Sequence, residues 1–255
     1  MTPTPPRQAA VAVVGAGDFI GAAIAERFAA EGYRVFGGRR RADQLAPLKT
    51  KIEAAGGRFE ARALDARDEA QIAAFMVEAD ADQPLEAAIF NVGANVNFPI
   101  LETTERVFRK VWEMACEAGF LAGREAARRM LARGAGSIFF TGATASVRGG
   151  VGYAAFASAK AGLRAVAQSM ARELGPRNIP VAHLVIDAGV DTAFVRQRIV
   201  AARGGGREGE AALAELAPDT LMNPASIAEA YWRLHRQTPD AWTFELDRRP
   251  FAETW

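Results

Sequence analysis

The chain is short of the residues that most directly announce chemistry. Among 255 residues there is one cysteine, Cys116, and there are two histidines, His183 and His235. A single cysteine excludes an intrachain disulfide and a Cys-rich metal site, and no metal centre is expected. Neither charge is in surplus: 31 Lys and Arg against 30 Asp and Glu leave a formal net charge of +1. That balance argues against non-specific nucleic-acid binding, which needs a basic excess gathered on one face. No apolar run approaches the roughly 20 residues of a membrane-spanning helix. The opening stretch, residues 1–7, is polar and proline-rich and has no apolar signal segment. It is expected to be a disordered tail, and the cytoplasm is the expected compartment.

What the chain does have is a regular alternation. Half of its residues are apolar, enough for a substantial core. Short apolar, β-branched runs at 8–14, 33–37, 58–64, 85–91, 137–141 and 179–186 alternate with helical patterns at 21–30, 41–55, 69–78, 103–133 and 152–174. The stretch 103–133 is expected to break near Gly119 or Gly123. A helix near 225–236 and a strand near 242–246 close the series. Strands apolar on both faces, separated by helices, imply a parallel sheet between two helix layers. No repeat or linker divides the chain, so one domain over 1–255 is expected. The glycine-rich patch at 201–209 follows the sixth strand, a place for either a mobile lid or an ordinary surface loop.

Candidate chemistry begins where the first strand ends. Gly15-Ala16-Gly17-Asp18-Phe19-Ile20-Gly21 leads from that strand into a helix, the context a dinucleotide fingerprint requires. Backbone N–H groups at a helix start attract a pyrophosphate, and glycine permits its close approach. A tight turn that binds nothing would use the same residues. After the second strand, Gly38-Arg39-Arg40-Arg41 offers guanidinium groups where an acidic residue would favour NAD. Arg39 therefore favours NADP(H) over NAD(H), while Asp18 places an opposing charge near the phosphates.

Several motifs in order resemble the short-chain dehydrogenase/reductase family along almost the whole chain. Phe156-Ala157-Ser158-Ala159-Lys160 is similar to its catalytic Tyr-x-x-x-Lys, with phenylalanine for tyrosine. The glycine loop resembles G-x-x-x-G-x-G, with Gly15 and Gly21 in place, Phe19 at the middle glycine and Gly17 two positions earlier. Asp65 matches the aspartate that contacts adenine, Asn91-Val92-Gly93 the Asn-Ala-Gly turn, and Gly189 and Thr192 the segment at the nicotinamide carboxamide. The resemblance implies one doubly wound Rossmann domain with a seven-stranded parallel sheet. It also implies NAD(P) held by Gly15, Gly17, Phe19, Ile20, Gly21, Asn91, Gly93 and Lys160, and a homodimer or homotetramer formed through the two long helices.

The proton-handling positions depart from that pattern together. Ala143 stands where the family has serine, Ala115 where it has the asparagine that anchors a relay water, and Phe156 where it has tyrosine. Lys160 alone remains, and its role as a clamp on the nicotinamide ribose survives the loss of its tyrosine. Thr144 and Tyr153 are the nearest replacement hydroxyls. Asp187 suits helix capping, and His183 and His235 suit structural roles. Asn95, Asn97, Phe98 and Trp112 are candidates to line a substrate pocket. Two functions fit: a small-molecule carbonyl or alcohol oxidoreductase with an altered proton route, or a non-catalytic cofactor-binding protein acting as a sensor or oligomer partner.

Overall fold

A computed structural model describes residues 5–251 and residue 253. Seven strands form one sheet: β1 (Ala10–Val14), β2 (Arg34–Arg39), β3 (Arg58–Ala63), β4 (Leu85–Phe90), β5 (Ser137–Thr141), β6 (Val181–Ile186) and β7 (Glu245–Arg248). The spatial order is β3-β2-β1-β4-β5-β6-β7, and every neighbouring pair is parallel. β1, β5 and β6 are buried at every position, which is why they appear as mainly apolar runs rather than alternations.

Helices cover both faces. α1 (Ile20–Ala30), α2 (Ala46–Ala54) and α9 (Pro224–His235) lie on one, packed through Ile24, Phe28, Ile52, Ile227 and Tyr231. α3 (Glu69–Ala79), α5 (Ala118–Leu131) and α6 (Ala154–Leu174) lie on the other, packed through Ile72, Phe75, Leu121, Met130 and Leu163. Strand order reverses between β1 and β4, so a crevice opens at their carboxyl ends. This is the doubly wound architecture that the alternation implies.

Three local expectations change. The long helical stretch does break, but neither at Gly119 nor at Gly123: α4 (Glu105–Trp112) joins α5 through one π-helical turn, Glu113–Glu117. The two glycines serve close packing instead. A Cβ on Gly119 would lie 2.3 Å from Leu163 Cδ1, and one on Gly123 would lie 2.7 Å from Phe140 Cζ. The patch at 201–209 is not an irregular loop but the corner between α7 (Ala193–Ala202) and α8 (Gly206–Ala214), turned by Gly204, Gly205 and Gly206 at φ of +91°, +73° and +51°. The expected disordered tail does not reach Arg7, whose N–H donates to Gly32 O at 2.9 Å while its guanidinium lies 4.9 Å from the Tyr33 ring centroid. The first four residues of that tail lie outside the described residues.

Candidate cofactor groove and reaction site

The crevice is one groove with two ends. The end toward β2 and β3 is a cleft of about 560 Å³ lined by Gly38, Arg39, Arg40, Arg41, Asp65 and Arg67. The end toward β5 and β6, of about 460 Å³, is lined by Phe19, Ala143, Phe156, Lys160, Thr192 and Phe194. Gly15, Gly17, Asn91, Val92 and Gly93 belong to both and form the waist.

The waist is built by backbone crowding. Gly15 sits at φ +91°, and a Cβ there would lie 2.7 Å from Asn91 O. A Cβ on Gly21 would lie 2.3 Å from Gly15 O, so this glycine lets α1 approach the loop. Asn91 locks the junction: its Nδ2 donates to Gly15 O at 3.1 Å, and its Oδ1 accepts from Thr141 Oγ1 at 3.0 Å. Thr141 Oγ1 in turn lies 2.7 Å from the hydroxyl of fully buried Tyr231. With the threonine proton given to Asn91, Tyr231 is the donor of that last bond. This chain ties α9 through β5 and β4 to the glycine loop, and Tyr231 is a member that no motif announces.

The start of α1 suits an anion. It has no side-chain cap and no acidic residue in its first turn, so its N–H groups stay open toward the groove. Gly17 and Gly93 face open space, with no atom within 4 Å of an added Cβ. A dinucleotide pyrophosphate fits this cradle. Phe19, at the position of the family's middle glycine, stands at the helix start with 37% exposure and forms part of the apolar end.

The charged end carries four guanidinium groups. Arg39 pairs with Asp18 at 2.7 Å, Arg41 with Asp43 at 3.3 Å, and Arg67 with Asp65 at 2.5 Å. Arg40 makes no ion pair among the described residues. Asp65 is not a free acceptor: Arg67 Nε and N–H both bond its Oδ1, and hydrogen bonding to that arginine holds the carboxyl down at about 2. Arg67 lies only two residues after Asp65, so this partner was visible in the sequence.

At the apolar end, Lys160 is 3% exposed. Its Nζ donates to Thr141 O at 2.8 Å and to Val92 O at 3.3 Å, leaving a third proton available. Burial pushes its pKa down to about 8, because the low-dielectric interior disfavours the ammonium form. Nζ is 5.9 Å from the Phe156 ring centroid. Phe156, Ala115 and Cys116 pack with Ala94, Val111, Ala155 and Ala159 in a small hydrophobic cluster beside the groove. Ala115 lies within the π-helical turn and is fully buried. Burial raises the Cys116 thiol to about 11, so it is not a nucleophile at neutral pH.

The replacement hydroxyls point elsewhere. Thr144 Oγ1 donates to Asp187 Oδ1 at 2.6 Å, and Tyr153 OH lies 3.5 Å from Arg198 Nη2. Neither residue lines the apolar end. Asp187 is not a helix cap: it is buried, with Arg148 at 3.1 Å and Arg249 at 3.5 Å. Of the expected pocket residues Asn95 lines the groove, whereas Asn97 Nδ2 is spent on Val151 O at 3.0 Å and Trp112 packs over Gly162. Gly189 and Thr192 both line it, and Thr192 Oγ1 also caps α7 by accepting from Val195 N at 3.1 Å. The described residues contain no group of three or more His, Cys, Asp or Glu placed to hold a metal, and no helix long and apolar enough to cross a membrane.

Known proteins share this arrangement. The family model described as short chain dehydrogenase matches residues 9–201. A crystal structure of a short-chain dehydrogenase from Rhodopseudomonas palustris is 60% identical, covers 96% of this chain and 100% of its own, and superimposes with a TM-score of 0.81. The 3-oxoacyl-(acyl-carrier-protein) reductase MabA of Mycobacterium bovis is 29% identical over 186 residues, 73% of this chain and 71% of that protein. In fold alone, an actinorhodin polyketide ketoreductase with NADPH matches at a TM-score of 0.86 and 22% identity, over 96% of this chain and 98% of its own. On the family model, the sheet order and the glycine-bounded groove together, this chain belongs to the short-chain dehydrogenase family.

Proposed function

We propose that this protein is an NADP(H)-dependent oxidoreductase that moves hydride between nicotinamide and a small, largely apolar carbonyl or alcohol, with Lys160 as the proton donor and acceptor. The single observation carrying this reading is the placement of Lys160. It is a buried ammonium at the apolar end, anchored by two carbonyl oxygens, with one proton to spare and a pKa of about 8. The bound nicotinamide would supply or accept the hydride. Gly15, Gly17, Gly21 and the start of α1 would hold the pyrophosphate, Asn91 and Gly93 the adenosine side, and Gly189 and Thr192 the carboxamide. Arg40, which makes no ion pair among the described residues although it acts on Asp65 electrostatically, would take the 2′-phosphate with Arg39 beside it. The NADPH bound by the actinorhodin polyketide ketoreductase, a neighbour in fold, supports that choice of cofactor.

The family's tyrosine and serine positions are Phe156 and Ala143, so this member is atypical in how it handles the proton. A positioned general acid is worth about 10²–10⁴ in rate. An ammonium titrating at about 8 is at least as acidic as an ordinary phenol at about 10, so Lys160 can meet part of that demand. Phe19, Phe156 and Phe194 would surround an apolar substrate and keep water from the reacting atoms. We further propose that the whole chain is one domain, and that it assembles as a homodimer or homotetramer through α4, α5 and α6, where Phe108, Trp112 and Phe120 are exposed.

The test is NADPH oxidation across a panel of small ketones and aldehydes, followed against pH. The expected rate is flat below about pH 8 and falls about tenfold per unit above it as Lys160 loses its proton. Lys160→Met should remove this turnover. Tight NADPH binding with no turnover on any substrate would instead identify a non-catalytic cofactor-binding protein.

A further inference from the structure

A second cavity, of about 540 Å³, lies where the end of β7 meets the start of α9. It shares no lining residue with either end of the groove. Its size suits a small molecule. Three guanidinium groups line it, and their situations differ. Arg233 Nε lies 3.0 Å from Glu229 Oε1, and Arg27 holds the same carboxylate at 2.7 Å. Arg249 is engaged by Asp247 and, at 3.5 Å, by buried Asp187. Arg248, the last residue of β7, has no such carboxylate. Its side chain makes no hydrogen bond or ion pair among the described residues, although its Nε is buried. A buried guanidinium nitrogen without an acceptor is costly, since its lost hydration is not replaced.

The rest of the wall narrows the chemistry of an acceptor. Leu221, Met222 and Pro250 give the cavity an apolar side. Asp219 and Glu229 also line it, so a doubly charged anion meets more repulsion there than a singly charged one. The start of α9 adds little, because Asn223 Oδ1 already accepts from Ala225 N at 2.8 Å. Arg248 is therefore the main anchor on offer, and a planar guanidinium matches the two oxygens of a carboxylate.

The geometry points to this cavity as a binding site for a monocarboxylate with a short apolar body. The carboxylate pairs with Arg248, and the hydrocarbon lies against Leu221, Met222 and Pro250. The site is separate from the groove and does not depend on the proton chemistry of Lys160.

Hexanoate is the probe, titrated calorimetrically into the full chain. Saturable binding at millimolar hexanoate is expected, with hexanol, the neutral compound of equal length, binding at least about tenfold more weakly. Arg248→Met should weaken hexanoate binding at least about tenfold through the loss of one charge-assisted pair, and Arg248→Lys should recover only part of it. A readout in the unaltered chain covers the case in which Arg248→Met does not fold. In protein carrying ¹³C-methyl methionine, the Met222 methyl signal should shift with hexanoate and saturate with the calorimetric affinity. Inorganic phosphate at equal concentration should shift it less. No saturable hexanoate binding, binding unchanged in folded Arg248→Met, or a Met222 methyl that stays still while hexanoate binds overturns the site. Displacement of hexanoate by NADPH would place it in the groove and overturns the site as well. Phosphate binding more tightly than hexanoate overturns the carboxylate assignment.

Discussion

The two ends of the groove are built on opposite principles. The end beneath β2 and β3 is charged and solvated, with Arg39, Arg41 and Arg67 in ion pairs and Arg40 exposed. The end beneath β5 and β6 is an extension of the core, with Phe156, Ala115 and Cys116 buried together and Lys160 as its buried charge. Where the family's proton-handling side chains belong, this chain has alkyl and phenyl groups. Where phosphate-binding features belong, it has kept the backbone crowding, the open helix start and the guanidinium groups. The contrast separates two requirements of a dehydrogenase: holding the cofactor, and moving the proton. Under the proposed function the charged end and the waist meet the first, and the second rests on Lys160.

Substitutions at the two ends and the waist between them can break or sharpen this contrast. The largest effect is expected at the waist. Gly21→Val places side-chain carbon against Gly15 O, where even a Cβ would be 2.3 Å away. Dinucleotide affinity in the folded variant should fall by more than about 10³, equivalent to over ~4 kcal/mol, as read by calorimetry. At the apolar end, Phe156→Ala should cost about 3–5 kcal/mol of unfolding free energy in a denaturant titration, because it empties a packed site. At the charged end, Arg40→Ala should leave stability within about 0.5 kcal/mol. It should weaken NADPH binding roughly tenfold or more while hardly changing NADH, since a charge-assisted bond contributes about 1.5–3 kcal/mol. A destabilising Arg40→Ala paired with a neutral Phe156→Ala would invert the comparison.

The sheet, its parallel order and the glycine loop were legible in the sequence because each has a local cause. Buried parallel strands are mostly apolar, and Gly21 is required by its contact with Gly15 O in the same loop while Gly15 itself sits at φ +91°. What stayed hidden depends on partners far along the chain. The break between α4 and α5 carries no glycine or proline signal, whereas Gly119 and Gly123 looked like breakers and instead admit Leu163, Phe140 and Met170. The ion pair between Asp18 and Arg39, the support of Asn91 by Thr141 and Tyr231, and the engagement of Thr144 by Asp187 join residues that only the fold brings together. His183 was expected to be structural from its place in a strand. It is fully buried there with its Nδ1 3.1 Å from Glu245 Oε2, a partner that only the fold brings to it.

The most direct test of the account is to restore the missing donors in place. The double variant Phe156→Tyr with Ala143→Ser adds a phenol and a hydroxyl at the apolar end and leaves the charged end untouched. The account predicts unchanged NADPH affinity and a rise of about 10²–10⁴ in ketone reduction over the parent. NADPH bound as before with no gain in reduction would contradict it, because the groove would then lack more than a proton donor.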